Sequence, residues 1–174
     1  GDYWGAQNQS DVNDLVRRAV DLGINYFDTA EIYNNGRSET SLGIALQGVP
    51  RDRVIIGSKV TPAHCYHDTL IESCEASLRR LGVDTIDLYM IHWPLHSHSM
   101  RHVTTDEKII NNPPRVEEAA TALAKLQAQG KIRHIGVSNF GKRRLDEILA
   151  TGITVAANQL HYNLVSRAIE DEIM

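Results

Sequence analysis

Four side chains that could pass a proton among themselves, Asp28, Tyr33, Lys59 and His92, each stand at or just past the C-terminal end of a short apolar run that reads as a buried strand. The runs are Ile24 to Phe27 before Asp28, Val54 to Ile56 before Lys59, and Ile86 to Ile91 before His92. In an α/β protein that end of the strands is the working end. Titratable residues gathered there, while strand interiors stay apolar, point to chemistry more than to packing. The chemistry such a set can do is assisted proton donation. A tyrosine with the ordinary pKa of about 10 is a poor acid at neutral pH. An ammonium beside the phenol favours the phenolate, a carboxylate can pair with that ammonium and hold it in place, and an imidazole can donate a hydrogen bond to an oxygen that gains charge. Each residue also has a plainer reading: Asp28 as a turn cap, Tyr33 as a loop aromatic, Lys59 as a solvated strand end, His92 as a satisfied buried histidine.

The elements that would hold these residues are readable from periodicity and punctuation. Ser10 can cap a helix whose apolar positions Val12, Leu15, Val16, Ala19 and Leu22 follow the 3.6 period and stop at Gly23. A strand follows over 24–28, then a loop through Asn34-Asn35-Gly36, and a helix from Ser38 that carries Leu42, Ala45 and Leu46 and is broken by Gly48 and Pro50. The second strand spans 53–58. A third helix has Asp68 as its N-cap, Ile71, Cys74, Leu78 and Leu81 on one face, and Gly82 just beyond. The third strand, 86–91, ends at His92. Residues 93–114 form one long irregular stretch, and loops of that length are usually functional or disordered. A fourth helix with Val116, Ala119, Ala120, Leu123 and Leu126 ends at Gly130. After it come a strand over 132–137, a helix with Leu145, Ile148 and Leu149, a fifth strand over 153–157 ending in Asn158-Gln159, and a sixth helix from Ser166.

Short strands without alternation, separated by amphipathic helices, mean parallel strands covered by helices and joined by right-handed crossovers. An open doubly wound sheet would hold a nucleotide through a glycine-rich first turn, and neither G-x-G-x-x-G nor G-x-x-x-x-G-K-[ST] occurs. A barrel instead spreads polar residues over successive strand ends, as at Asp28, Lys59, His92, Asn139 and Gln159. The expected fold is therefore α/β, a parallel (β/α) barrel of TIM type, present as a partial barrel of about five βα units. Residues 1–174 form one domain with 93–114 as a long loop.

Composition narrows the function. With 174 residues, 42% hydrophobic and 23% charged, the chain has enough material for one sizeable core. A formal charge of −4 with mixed signs along the chain offers no basic stripe for nucleic acid. The two cysteines, Cys65 and Cys74, lie in no metal or redox motif and fit a reducing compartment. No run approaches the ~20 apolar residues of a membrane span, and Gly1-Asp2-Tyr3-Trp4 lacks the features of a secretory signal, so a cytoplasmic location is expected. His96, His98 and His102 have spacings that a transition metal could use, but no Cys or carboxylate cluster completes a site, and no metal is expected.

The chain resembles the aldo-keto reductase family. The likeness rests on Gly23-Ile-Asn-Tyr-Phe-Asp-Thr-Ala-Glu-Ile-Tyr33, Ile55-Ile-Gly-Ser-Lys59, Ser77-Leu-Arg-Arg-Leu-Gly-Val-Asp-Thr-Ile-Asp-Leu-Tyr-Met-Ile-His-Trp-Pro94 and Gly130-Lys-Ile-Arg-His-Ile-Gly-Val-Ser-Asn-Phe140, four motifs in order over nearly the whole length. The resemblance implies hydride transfer from a nicotinamide cofactor, NADPH with NADH also allowed, to an aldehyde or ketone, with Tyr33 as general acid and Asp28, Lys59 and His92 completing a tetrad. It implies that Asp28, Ser138, Asn139 and Gln159 hold the cofactor, with the last three on the nicotinamide carboxamide. Trp93 would wall the substrate pocket, Trp4 would face it, and the 93–114 loop would cover the substrate. It further implies an incomplete chain, lacking a strand before Gly1 and the C-terminal part where the family binds the adenosine phosphate. Such a piece would expose strand edges and self-associate or be unstable. A non-catalytic or truncated relative acting as a nucleotide-sensing or regulatory subunit is the alternative.

Overall fold

A computed structural model describes residues 8–174. Five parallel strands make one sheet in the order of the sequence: β1 (Tyr26–Asp28), β2 (Ile55–Val60), β3 (Ile86–Ile91), β4 (Ile132–Ser138) and β5 (Val155–Gln159). That order decides between the two expected architectures. An open doubly wound sheet reverses direction at a switch point, whereas each strand here pairs only with its neighbours in sequence, so all crossovers run the same way round. The strands form a curled half-barrel. Its curl brings the outermost strands within reach of each other, because Gln159 Nε2 on β5 donates to Asp28 Oδ1 on β1 at 3.2 Å.

The helices α1 (Gln9–Asp21), α2 (Arg37–Ala45), α3 (His67–Leu81), α6 (Val116–Ala128) and α7 (Lys142–Leu149) pack side by side on the outer face. Between them and the sheet lies the core, with Ile56, Val60, Leu70, Cys74, Tyr89, Ile91, Leu123 and Val137 fully buried. Burying this apolar surface is the main drive for the fold. The concave face is fitted by size. A Cβ at Gly57 would collide with Tyr26 Oη, and one at Gly136 would meet Met90 Cγ at 2.7 Å, so the two glycines leave room for large neighbours across the ladder.

Several local expectations change. Ser10 lies inside α1 rather than capping it; the N-cap is Asn8, with no side-chain bond, and Gln9 exchanges hydrogen bonds with Ser41 of α2 instead. Asp68 is likewise not a cap. The cap of α3 is Tyr66, the first amide, His67 N, is taken by Glu118 Oε1 of α6 at 3.1 Å, and Asp68 turns to His67 Nδ1. In α3 a tertiary partner takes a first-turn amide, whereas in α1 the tertiary bonds fasten the Gln9 side chain and leave the backbone end uncapped by any side chain of the N-cap. The helix α2 begins at Arg37, after Gly36, and Ser38 Oγ accepts from Thr29 Oγ1 at 2.9 Å.

Of the expected apolar stripe on α1, Val16 is buried while Leu15 and Leu22 are 70% and 65% exposed. The Val16/Val20 side joins the core, and α1 packs against α2. The strand β1 starts two residues later than the pattern and ends at Asp28 as expected, while β2 and β5 are each displaced by two residues. The 93–114 stretch is not wholly irregular: α4 (Ser97–Met100) and α5 (Glu107–Asn111) interrupt it, and Leu95, Met100 and Ile110 pin it to the core. The last helix, α8, covers Ile169–Glu172 and not the turn from Ser166.

Candidate active site

Ladder register alone puts the polar residues on one face. Asp28 pairs with Gly57, and Lys59 is two residues further on; Lys59 pairs with Met90, and His92 is two residues further on. Met90 in turn pairs with Gly136, Ser138 follows two later, and Ser138 pairs with Gln159. A step of two keeps the side chain on the same face of a pleated strand, so this staircase delivers Asp28, Lys59, His92, Ser138 and Gln159 to the concave side near the C-terminal rim.

Lys59 is the centre. It lies inside β2, not past its end, and is 1% exposed. Its ammonium donates to Asp28 Oδ2 at 2.6 Å, to the Thr29 carbonyl at 2.9 Å and to Tyr33 Oη at 3.5 Å. A buried ammonium needs hydrogen-bond partners, and these three acceptors supply them. The reading of Lys59 as a solvated strand end is thereby excluded. Asp28 does not merely cap a turn: its second oxygen, Oδ1, also accepts from Tyr26 Oη at 3.4 Å and from Gln159 Nε2. Tyr33 remains 39% exposed, with Lys59 Nζ 5.1 Å from its ring centroid.

His92 is 4% exposed, and its Nδ1 is buried with no hydrogen-bond partner among the described residues. Burial first, and the charge of Lys59 second, push its pKa down to about 4, so the ring is neutral at pH 7. The ring meets Tyr33 edge-on, centroids 5.6 Å apart at 75°, and stacks on Trp93 at 3.7 Å and 14°. The phenol and the imidazole are therefore neighbours, and the indole covers one face of the imidazole.

The C-terminal ends of β4 and β5 are bound to this cluster. Ser138 Oγ donates to the Gln159 carbonyl at 3.0 Å, and Asn139, held in the left-handed region at φ 63°, donates its amide to the same carbonyl at 2.9 Å. Asn139 Nδ2 donates to the His92 carbonyl at 2.9 Å and to Ser138 Oγ at 3.1 Å. Asn139 Oδ1 and Gln159 Oε1 make no hydrogen bond among the described residues, which leaves two acceptors open at the mouth.

Eight of the nine residues singled out from the sequence come together here; Trp4 lies outside the described residues. The loop histidines do not join them. His96 Nδ1 accepts from Ser99 N at 3.2 Å as a helix cap, and His98 and His102 face each other with Nε2 atoms 3.4 Å apart. Three contributors had gone unnoticed: Tyr26, whose phenol is pushed up to about 12 by burial and by Asp28, the Thr29 carbonyl, and Glu31. Tyr26 had a signal in the sequence, since it lies two residues before Asp28 on the same strand face.

A sequence model described as "Aldo/keto reductase family" matches residues 1–174. The chain belongs to the aldo/keto reductase family. This family member is 38% identical over 161 residues to methylglyoxal reductase YeaE of Escherichia coli (strain K12), an alignment covering 91% of this chain and 50% of that one. Among solved structures it is similar to a thermostable aldo-keto reductase, Tm1743, in complex with the inhibitor epalrestat, with 34% identity and a TM-score of 0.82 over 97% of this chain and 56% of that one. It is also similar to an aldo-keto reductase from Klebsiella pneumoniae in complex with NADPH, with 36% identity and a TM-score of 0.79 over 93% and 51%. The aldo/keto reductase chain spans about half the length of the curated relatives it matches.

Proposed function

We propose that the protein is an oxidoreductase that reduces an aldehyde or ketone to the alcohol with a nicotinamide cofactor, with Tyr33 as general acid. The observation that carries this reading is the buried Lys59 ammonium, held by Asp28 at 2.6 Å while it reaches Tyr33 Oη at 3.5 Å. When bound, the nicotinamide supplies the hydride that the carbonyl carbon accepts. Tyr33 Oη gives its proton to the carbonyl oxygen, and the ammonium of Lys59 stabilises the phenolate left behind until solvent restores the proton. Asp28 keeps the ammonium charged and in place. The neutral His92 ring orients the carbonyl by donating a hydrogen bond to its oxygen, a role that its depressed pKa supports because no charge is lost or gained near pH 7.

The residues present fit such a cofactor. A nicotinamide carboxamide needs acceptors for its NH2 group, and the open Asn139 Oδ1 and Gln159 Oε1, with the Ser138 hydroxyl beside them, would hold it. The NADPH complex of the Klebsiella relative supports NADPH as the first choice. Small reactive aldehydes are the substrate class to try, methylglyoxal among them because the E. coli relative is named for it.

The test is to mix the polypeptide translated from the complete reading frame that contains this sequence with NADPH, or NADH in parallel, and 4-nitrobenzaldehyde, and to follow the loss of nicotinamide absorbance. Turnover is expected. Absence of turnover together with unquenched tryptophan fluorescence on adding either cofactor would refute the reading; quenching without turnover would point to a nucleotide-sensing relative instead.

A further inference from the structure

Tyr33 stands on a turn, not on a strand. Residues 31–36 form no ladder, and the three residues after Tyr33, namely Asn34, Asn35 and Gly36, all have left-handed backbones at φ 51°, 53° and 82°. The Tyr33 amide bonds only within the turn, to the Ala30 carbonyl at 3.1 Å. A reacting group on such a segment keeps its place only when the segment is tied to something rigid.

Glu31 provides that tie. Its amide donates to the Lys59 carbonyl at 3.1 Å, and its Oε1 accepts from the Thr61 amide at 2.7 Å and contacts His64 Nδ1 at 3.0 Å. The carboxylate side chain is 8% exposed, so these bonds form where water competes little. Thr61 follows Val60, whose carbonyl accepts the His92 amide at 3.0 Å. One carboxylate therefore sits where the exits of β1, β2 and β3 meet. His64 braces it from outside, half-exposed and itself braced by Ser73 Oγ at 3.3 Å from Nδ1; the bond to Glu31 raises the His64 pKa above its ordinary value.

We propose that Glu31 is a positioning residue, fastening the Tyr33 turn to the exit of β2 so that the phenol stays beside Lys59 and edge-on to His92. This rests on Tyr33 being the acid. In the complete gene product, Glu31→Ala removes the acceptor, Glu31→Asp withdraws it by one methylene, and Glu31→Gln keeps an acceptor oxygen for the Thr61 amide without the charge. Glu31→Ala and Glu31→Asp are expected to lower kcat by about 10- to 100-fold with the dissociation constant for NADPH unchanged, since a displacement of ~1 Å of a reacting group can cost that much. Glu31→Gln should recover kcat to within about 3-fold of the parent. Glu39→Gln serves as the comparison: Glu39 is a buried carboxylate on the outer side of β2, bonded to Ser58 and Arg80, and its loss should lower the melting temperature but not kcat. The proposal is overturned if Glu31→Asp keeps the parent's kcat, if Glu31→Gln falls as far as Glu31→Ala, or if kcat follows melting temperature equally in Glu31 and Glu39 variants. If Tyr33→Phe retains turnover, the assignment of the acid fails first, separately from this inference.

Discussion

Two carboxylates that each hold a cation at opposite ends of the sheet, Asp87 buried and Asp28 partly open to water, have been put to different uses. At the N-terminal rim, Asp87 takes Arg51 Nη2 and the Ile56 amide on one oxygen and Arg133 Nη1 on the other, and it is 4% exposed. Arg51 also donates to the Val54 and Thr85 carbonyls. Every polar atom of the carboxylate is spoken for by a permanent partner. A cavity of about 480 Å³ lies beside its two arginine partners, lined by Leu81, Asp84 and Arg133 among others, and Asp87 itself does not line it. At the C-terminal rim Asp28 also holds a cation, but the cluster around it keeps polar capacity in reserve: among the described residues His92 Nδ1 is unpaired, Tyr33 is half-exposed, and acceptors on Asn139 and Gln159 are open. Concavity and buried charge are common to both ends. Unspent hydrogen-bonding capacity distinguishes the end able to do chemistry from the end that stabilises.

The comparison breaks if function and stability do not separate between the two ends. The largest separation is expected for Tyr33→Phe, which should reduce kcat by about 1,000-fold with cofactor affinity and melting temperature nearly unchanged; activity assays and thermal scans check both. Lys59→Met should cost about 100-fold in kcat while leaving stability close to the parent's, because an apolar side chain of similar volume replaces a buried ammonium and Asp28 keeps partial access to water. Asp87→Ala should do the reverse. Denaturant unfolding should show a loss of about 2 kcal/mol, as the Ile56 amide and two guanidinium groups lose their acceptor, and kcat measured well below the melting point should be unchanged.

The smallest effect concerns pH, and its sign follows from the two histidines. The His92 pKa is lowered to about 4 by burial, so between pH 6.5 and 4 the unfolded chain binds a proton that folded His92 refuses. Stability should fall as the pH drops through that window, and His92→Gln should flatten the slope. His64 has the opposite sign and another window: its raised pKa gives a contribution present below 6.5 that is lost as pH rises through the folded value, so it cannot mask the acid slope. Denaturant midpoints taken across pH 4 to 8 for the parent, His92→Gln and His64→Gln separate these contributions.

Much of this was legible in the residues. The strand β3 runs from Ile86 to Ile91, as its apolar run states, and Gly82, Gly130 and Gly152 close helices or turns with positive φ where expected. Lys59 was misjudged as a strand exit because a charged residue looks like an end in one dimension; its place inside β2 depends on Met90 and Ile91 opposite. The caps of α1 and α3 were missed for a related reason, since Ser41 and Glu118, which fasten those ends, lie 32 and 51 residues from their partners. Glu31 carried no local signal for the same cause: its partners Thr61 and His64 are about 30 residues away.

The residues alone determined which side chains were available for proton transfer and that parallel strands would carry them, because apolar runs, glycine stops and titratable exits are local properties of the chain. Their convergence was decided by tertiary structure. Ladder register, the curl that brings Gln159 to Asp28, and the water excluded around Lys59 and His92 all depend on contacts between strands remote in sequence, and a pair of charges has no fixed energy until its distance and its surroundings are set.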